Sequence, residues 1–266
     1  MISPAEVRHL RHQFFRSARV YDESLRETAR QSAADGRASY ATIENPTTHD
    51  IYRYLAEYGG AVAQQQTGRE PKDIKILDWG GGKGYVAYFL QQQGFDVTLY
   101  ETASFPHRDF WKKFELKTKT SDGPTLPFED GEFDMVVGFG VLEHVPYEYD
   151  ALKEVNRVLK NDGLFLCFNL PNRFGYLHHV AAKRGVKYHD RLYTSRETRW
   201  LLKRSGFNTV GKPWRRQLFP KNSLTYKHPA AWEWLDLQLC RYTPLGLFAT
   251  SLEFVARKQY TYTSPH

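Results

Sequence analysis

The chain has 266 residues, of which 41% are hydrophobic and 15% aromatic. That supply favours one large α/β domain with additions over two independent domains. The formal charge of +7 comes from 37 Lys and Arg against 30 Asp and Glu, a field that favours anionic partners without naming one. The 2 cysteines are too few for a four-cysteine zinc site or a disulfide framework, and Cys167 and Cys240, each in an apolar run, are expected to be buried free thiols. No run reaches the roughly 18 apolar residues of a membrane span, and the N-terminus lacks the apolar stretch of a secretory signal. A cytoplasmic protein is the expectation.

Residues 1–70 read as a helical extension. Val7, Leu10, Phe14, Phe15 and Val20 recur near the helical period, with Arg8, Arg11, Arg16 and Arg19 between them. This is the pattern of an amphipathic cap whose arginines face solvent. A second reading has those arginines, with His9 and His12, meeting an anionic acceptor or a membrane surface. Residues 31–40 are small and polar, a loop. Asn45-Pro46-Thr47-Thr48-His49-Asp50 then offers capping chemistry to a helix over 51–59, and Gly68-Arg69-Glu70-Pro71 breaks the chain before the first strand.

From 71 to 258 strands and helices alternate. Strands are expected at 74–79, 95–100, 133–139 and 163–169, helices at 85–93, 105–114 and 147–159. Such alternation gives a mostly parallel sheet covered on both faces, with ligands bound beyond the carboxyl ends of its strands. Asp78, Glu101, Asp122 and residues 138–140 all fall at such ends. After Asn169 the chain carries a lid-like segment, 172–192, containing Arg173, His178, His179, Lys183, Arg184, Lys187, His189 and Asp190. A helix follows from Ser195, stopped by Gly206. Residues 219–250 form an aromatic insertion with Tyr226, Trp232, Trp234, Tyr242 and Phe248, and 259–266 is a tail.

The most informative stretch is Asp78-Trp79-Gly80-Gly81-Gly82-Lys83-Gly84, between the first strand and its helix. Gly80, Gly82 and Gly84 alternate, so backbone can approach a ligand where any Cβ would collide. The free N–H groups of the following helical turn face the same space. The next strand delivers Glu101, an acid able to grip both hydroxyls of a ribose. A dinucleotide loop needs a third glycine where Tyr85 stands, so that fingerprint fails. The stretch instead resembles the first motif of the class I S-adenosylmethionine-dependent methyltransferases, in their type 11/12-like branch. Three further stretches are similar to family motifs in the same order. They are Asp122-Gly123-Pro124-Thr125-Leu126-Pro127-Phe128 with Phe133-Asp134-Met135-Val136, then Leu142-Glu143-His144-Val145, then Leu159-Lys160-Asn161-Asp162-Gly163-Leu164.

The resemblance implies a Rossmann-like, doubly wound α/β fold with a seven-stranded, mostly parallel sheet, its sixth strand beginning at 209–214 and its antiparallel last strand at 251–258. It implies S-adenosylmethionine as cofactor. Glu101 is expected to hold the ribose, Asp122 with Gly123 the adenine amino group, and Phe128 or Phe105 the adenine ring. Asp78, Trp79, Gly80, Gly82 and Gly84, with Gly138 and Phe139, would meet the methionine portion. Should the acceptor be a hydroxyl, His144 is the candidate base, with His189 (beside Asp190), His178 and His179 as alternatives. Relatives that methylate quinone-type phenols draw a metal site from an E-x-x-E-H segment. Gly140 replaces its first acid here, so no metal is expected.

The function these features point to is methyl transfer to oxygen of a small-molecule or glycan/glycolipid acceptor. The 219–250 insertion is offered to the acceptor pocket, to a second subunit, or to the inner membrane as a peripheral contact. Two other readings stay open: an RNA-directed methyltransferase, suggested by the positive charge, and a non-catalytic S-adenosylmethionine-binding partner subunit. Base methylation in nucleic acid is disfavoured because Gly138-Phe139-Gly140-Val141 replaces the aromatic turn that stacks on a flipped base.

Overall fold

A computed structural model of the chain describes residues 1–15, 46–106, 108–185, 189–219 and 229–259. Arg16, Arg19, Val20, the expected loop at 31–40, Asn45, Lys187, Tyr226 and residues 260–266 of the tail lie outside them, as do the side chains of Phe14 and Phe15.

One sheet organises the described residues. Its strands are β1 (Lys75–Trp79), β2 (Asp96–Glu101), β3 (Thr118–Thr120), β4 (Phe133–Phe139), β5 (Leu159–Pro171), β6 (Phe207–Thr209), β7 (Trp214–Arg216) and β8 (Ser251–Lys258). The order is β3-β2-β1-β4-β5-β8-β6, with β7 also pairing β8. Strands β1 to β5 run parallel, and β8 is antiparallel to β5, β6 and β7. The expected sheet is therefore present, with eight strands rather than seven. The difference arises at 209–214, expected as the start of one strand. There Gly211 takes a φ of +81° and Pro213 has no amide to give a ladder, so two three-residue strands flank a turn instead.

Helices cover both faces: α1 (Pro4–Phe15), α2 (Pro46–Thr67), α3 (Tyr85–Gln92), α4 (Asp109–Lys113), α5 (Glu148–Val158), α6 (Tyr176–Lys183), α7 (Ser195–Arg204) and α8 (Pro229–Tyr242). Alternate residues of one strand feed opposite cores, as strand pleating requires. Ile76, Met135, Val137, Leu164 and Leu166 pack with Leu55, Tyr58, Val86 and Leu90 of α2 and α3. Their neighbours Leu77, Val136 and Phe165 pack with Leu152, Val155 and Leu202 of α5 and α7. Helix α2 continues beyond residue 59 because its glycines lie against neighbouring elements: a Cβ on Gly60 would sit 2.6 Å from the Phe95 ring. Helix α7 carries a full capping box, Thr194 with Glu197.

The N-terminal helix departs from the expected pattern of solvated arginines. Arg8 is exposed, but Arg11 is 1% exposed. It pairs with Glu253 of β8, which also accepts from Arg216 at 3.2 Å. The Arg11 guanidinium lies 5.1 Å from the Tyr58 ring centroid and 4.8 Å from that of Trp214. Arg11 is one helical turn beyond buried Val7, on the same face, so the helix brings it inward. Cys167 and Cys240 are free and buried, as expected. No helix of the described residues is long and apolar enough to cross a membrane.

Candidate active site

The crevice lies at the carboxyl end of β1, β2 and β4, where β1 leaves the sheet through the glycine turn into α3. Gly80, Gly82 and Gly84 hold φ of +64°, +53° and +90°, values L side chains disfavour. A Cβ at Gly80 would lie 2.7 Å from Val141 and one at Gly84 2.6 Å from Leu116, whereas one at Gly82 would meet nothing within 4 Å. Two of the glycines are therefore required by protein packing, and the third faces open space. Gly82 is clamped on both sides of its peptide. Its N–H donates to Glu101 Oε2 at 2.9 Å, and its carbonyl accepts from Trp111 Nε1 at 2.9 Å.

Asp78 is 1% exposed and sits beneath this turn. Its Oδ2 accepts the Ala87 N–H at 3.0 Å, satisfying one of the unpaired donors of the first turn of α3. Burial pushes its carboxyl up to about 7, the Ala87 bond opposing and nearby Glu101 adding to the rise. Glu101 is half-buried at the tip of β2, and its Oε1 accepts the Thr102 N–H at 2.8 Å. Asp122 and Gly123 are exposed just after β3, with Asp122 Oδ1 taking the Ala103 N–H at 2.8 Å. Thr120 pairs Glu101 across the sheet, so the two acids stand at adjacent strand tips.

The aromatic side chains expected near the crevice are packed against one another or against the core. The Trp79 indole belongs to the core, edge-on to Phe165 at 6.1 Å, and a Cβ at Gly138 would be 3.1 Å from it. Trp79 thus offers the crevice only its backbone. Phe128 is buried against Tyr100 and Phe133. Phe105 stacks on Trp111 at 5.7 Å and 11°. Phe139 is half-buried, 4.8 Å from the ring of Tyr52, which also meets Tyr85 at 5.3 Å. Burial raises the Tyr52 hydroxyl far above its usual range.

A second group of side chains gathers where β4 ends. Gly140, φ +63°, donates its N–H to Phe168 O at 2.9 Å. Glu143 follows, 1% exposed. His189 Nδ1 lies 3.5 Å and His144 Nε2 3.9 Å from Glu143 Oε1. Asp190 Oδ2 is 3.4 Å from His144 Nδ1. Adjacent residues of the 172–192 segment therefore reach different partners, His189 facing Glu143 and Asp190 facing His144. Arg191 fixes this crossing, donating to Val145 O at 2.5 Å, to Pro146 O at 2.7 Å and to Glu148. His178 Nε2 bonds Thr250 O at 2.9 Å and His179 Nε2 bonds Arg173 O at 3.0 Å, and burial lowers the His178 imidazole.

The sequence singles out neither Tyr52 nor Trp111, which fall inside the expected helices 51–59 and 105–114, and it gives Asn169 no role in the site. Asn169 adopts φ +55° where the β5–β8 register shifts between Cys167 and Leu170, a bulge that no local pattern announces.

Acids at neighbouring strand tips around a bare glycine turn form the nucleotide-site geometry of doubly wound sheets. Residues 47–212 match the methyltransferase-domain family. The chain belongs to that family. S-adenosylhomocysteine occupies a solved structure of similar fold, and an S-adenosyl group is the ligand that the sequence leads one to expect in this crevice. The crevice suits it: the turn is clear above Gly82, and carboxylates stand beside it at the tips of β2 and β3. Among curated relatives, the methyltransferase is similar to an uncharacterised protein of Methanocaldococcus jannaschii, at 39% identity over 35% of this chain and 39% of that one. It is also similar to a demethylmenaquinone methyltransferase of Staphylococcus aureus, at 36% identity over 39% of this chain and 45% of that one. The matches thus span less than half the length of these relatives. A solved structure of similar fold is the Burkholderia thailandensis 1,6-didemethyltoxoflavin-N1-methyltransferase with S-adenosylhomocysteine, with a TM-score of 0.52, 17% identity, and coverage of 98% of this chain and 92% of that one.

Proposed function

We propose that this methyltransferase acts on an oxygen of a small-molecule or glycan/glycolipid acceptor. S-adenosylmethionine supplies an activated methyl group on a sulfonium, so the protein's tasks are alignment and exclusion of water. Glu101 would hold the ribose hydroxyls, and Asp122 with the Gly123 N–H the adenine edge. Gly80, Gly82 and Gly84, with Gly138 and Phe139, would make room for the amino-acid portion. Asp78 acts one step back, through Ala87 and the turn above it. Residues 1–70 form the extension and 71–258 the catalytic domain, with 172–192 as its lid.

The observation that carries the acceptor reading is the pairing of imidazoles with acids beyond β4, His189 with Glu143 and His144 with Asp190. A carboxylate-oriented imidazole can take a hydroxyl proton near neutral pH. The relative named as a demethylmenaquinone methyltransferase supports a small-molecule acceptor. Exposed Trp234, Tyr242, Leu245, Leu247 and Phe248 support a peripheral lipid contact, which vesicle flotation would test. Incubation with labelled methyl donor and host extract, partitioned into lipid, polysaccharide, nucleic-acid and small-molecule fractions, tests the whole reading. Label in the lipid, polysaccharide or small-molecule fraction is expected; label confined to nucleic acid would overturn it.

A further inference from the structure

Glu143 presents a problem that hydrogen bonding does not solve. Its side chain is 1% exposed, and neither carboxylate oxygen has a hydrogen-bond partner among the described residues. Leaving a carboxylate charged, buried and unpaired is strongly unfavourable, so such a group takes up a proton or is paired with a cation or a metal. Arg191, two residues beyond His189, is committed to two main-chain carbonyls and Glu148. Two histidines face Glu143 instead. His189 Nδ1, itself buried and without a hydrogen-bond partner among the described residues, is 3.5 Å from Oε1, and His144 Nε2 is 3.9 Å from it. One ligand atom from each of Glu143, His144 and His189 falls within 4.8 Å of the others.

We propose that Glu143, His144 and His189 bind a first-row divalent transition cation of the zinc type. Metal bonds near 2.1 Å in a tetrahedral site separate ligand atoms by roughly 3.4 Å. The Glu143–His189 separation already matches, and the remaining contraction falls on His144, which is 51% exposed and free to close in. One carboxylate and two imidazoles suit zinc and its neighbours better than magnesium or calcium, and three protein ligands leave a coordination position open. The orientation of His144 gives a second, independent observation. Its Nδ1 faces the Asp190 carboxylate at 3.4 Å, which turns Nε2 toward Glu143, the orientation that a carboxylate–histidine–metal relay requires. The expectation of no metal counted acids within one short segment, whereas the third ligand comes from the lid. For its chemical use alone, binding an acceptor hydroxyl and lowering its pKa, the inference rests on the proposed function, and with the cation bound His144 and His189 serve as its ligands in place of acting as the base.

The test is calorimetric titration of ZnCl₂ into the full chain after chelator treatment, with the visible absorption of the Co(II)-loaded protein as a second readout. S-adenosylhomocysteine affinity, measured on the same preparations, reports that each variant is folded. One equivalent of zinc is expected, with proton release. Asp190→Asn should weaken binding about 10–100-fold as an orienting partner, and Glu143→Gln and His189→Ala by more than that, with S-adenosylhomocysteine affinity held. No binding by the wild-type chain, or full-affinity binding by folded Glu143→Gln, would overturn the site. Methyl transfer by a chain that binds no zinc removes the metal and leaves the proposed function standing. One zinc on a chain that transfers no methyl to any acceptor fraction does the reverse.

Discussion

Replacing Asp78 by asparagine gives the most quantitative test of how the glycine turn is supported. Burial lifts this carboxyl from an ordinary 3.8 to about 7. A carboxyl whose folded value is raised binds its proton more tightly when folded, so its contribution to stability is fullest below the unfolded value. That contribution is then lost as pH rises through the folded one. Above about pH 4 the unfolded chain has released this proton and the folded chain retains it, so stability falls by about 1.4 kcal/mol per pH unit until roughly pH 7. Between about pH 5 and pH 8 the loss from this group is about 2.5 kcal/mol. The asparagine side chain would keep an oxygen for the Ala87 N–H and has nothing to titrate. Urea unfolding of the two proteins without cofactor, at each pH, should show Asp78→Asn gaining about 2.5 kcal/mol on the wild type toward the alkaline side, or about 5–10 °C in Tm. Parallel stability–pH curves for the two proteins would refute the reasoning.

Glu101→Ala should weaken cofactor binding by about 1–3 kcal/mol through lost charge-assisted hydrogen bonds, and unchanged affinity in calorimetry would remove Glu101 from the site. Gly82→Ala should cost about 1 kcal/mol of stability for its left-handed φ but impair S-adenosylhomocysteine binding far more, since the added methyl enters space that the protein leaves open; equal affinity of the two proteins would place the ligand elsewhere. Arg11→Met leaves Glu253 with one cation where it had two and should destabilise by about 3–5 kcal/mol, with Glu253→Gln in the same chain recovering part of that; additive losses in a double-mutant cycle would mean that the pair is not coupled.

The parts of the site made within a few residues were legible. The Asp78–Gly84 turn, the strand over 133–139 and Glu101 at the tip of β2 follow from local apolar runs, glycines and acids, and the structure has them in place. What could not be read was long-range pairing. Arg11 was expected in solvent because an arginine between apolar residues usually is, and its burial depends on Glu253 at the other end of the chain. Asp190 meeting His144, and His189 meeting Glu143, depend on how residues 172–192 fold back toward the end of β4, which no periodicity encodes. The short β3 and the divided 209–214 stretch were missed for a related reason, since three residues of strand carry too little pattern to outweigh a glycine and a proline.

The position of β8 bears on how this molecule is made. The last of the described strands to be synthesised occupies the interior of the sheet, between β5 and the pair β6 and β7. While the ribosome is still producing the segment before residue 251, β5 has an uncovered row of amides and carbonyls beside a strongly apolar surface, the condition under which nascent chains stick to one another. Premature termination just short of Ser251 should therefore yield insoluble material, and chaperone dependence should be concentrated in the interval before β8 emerges.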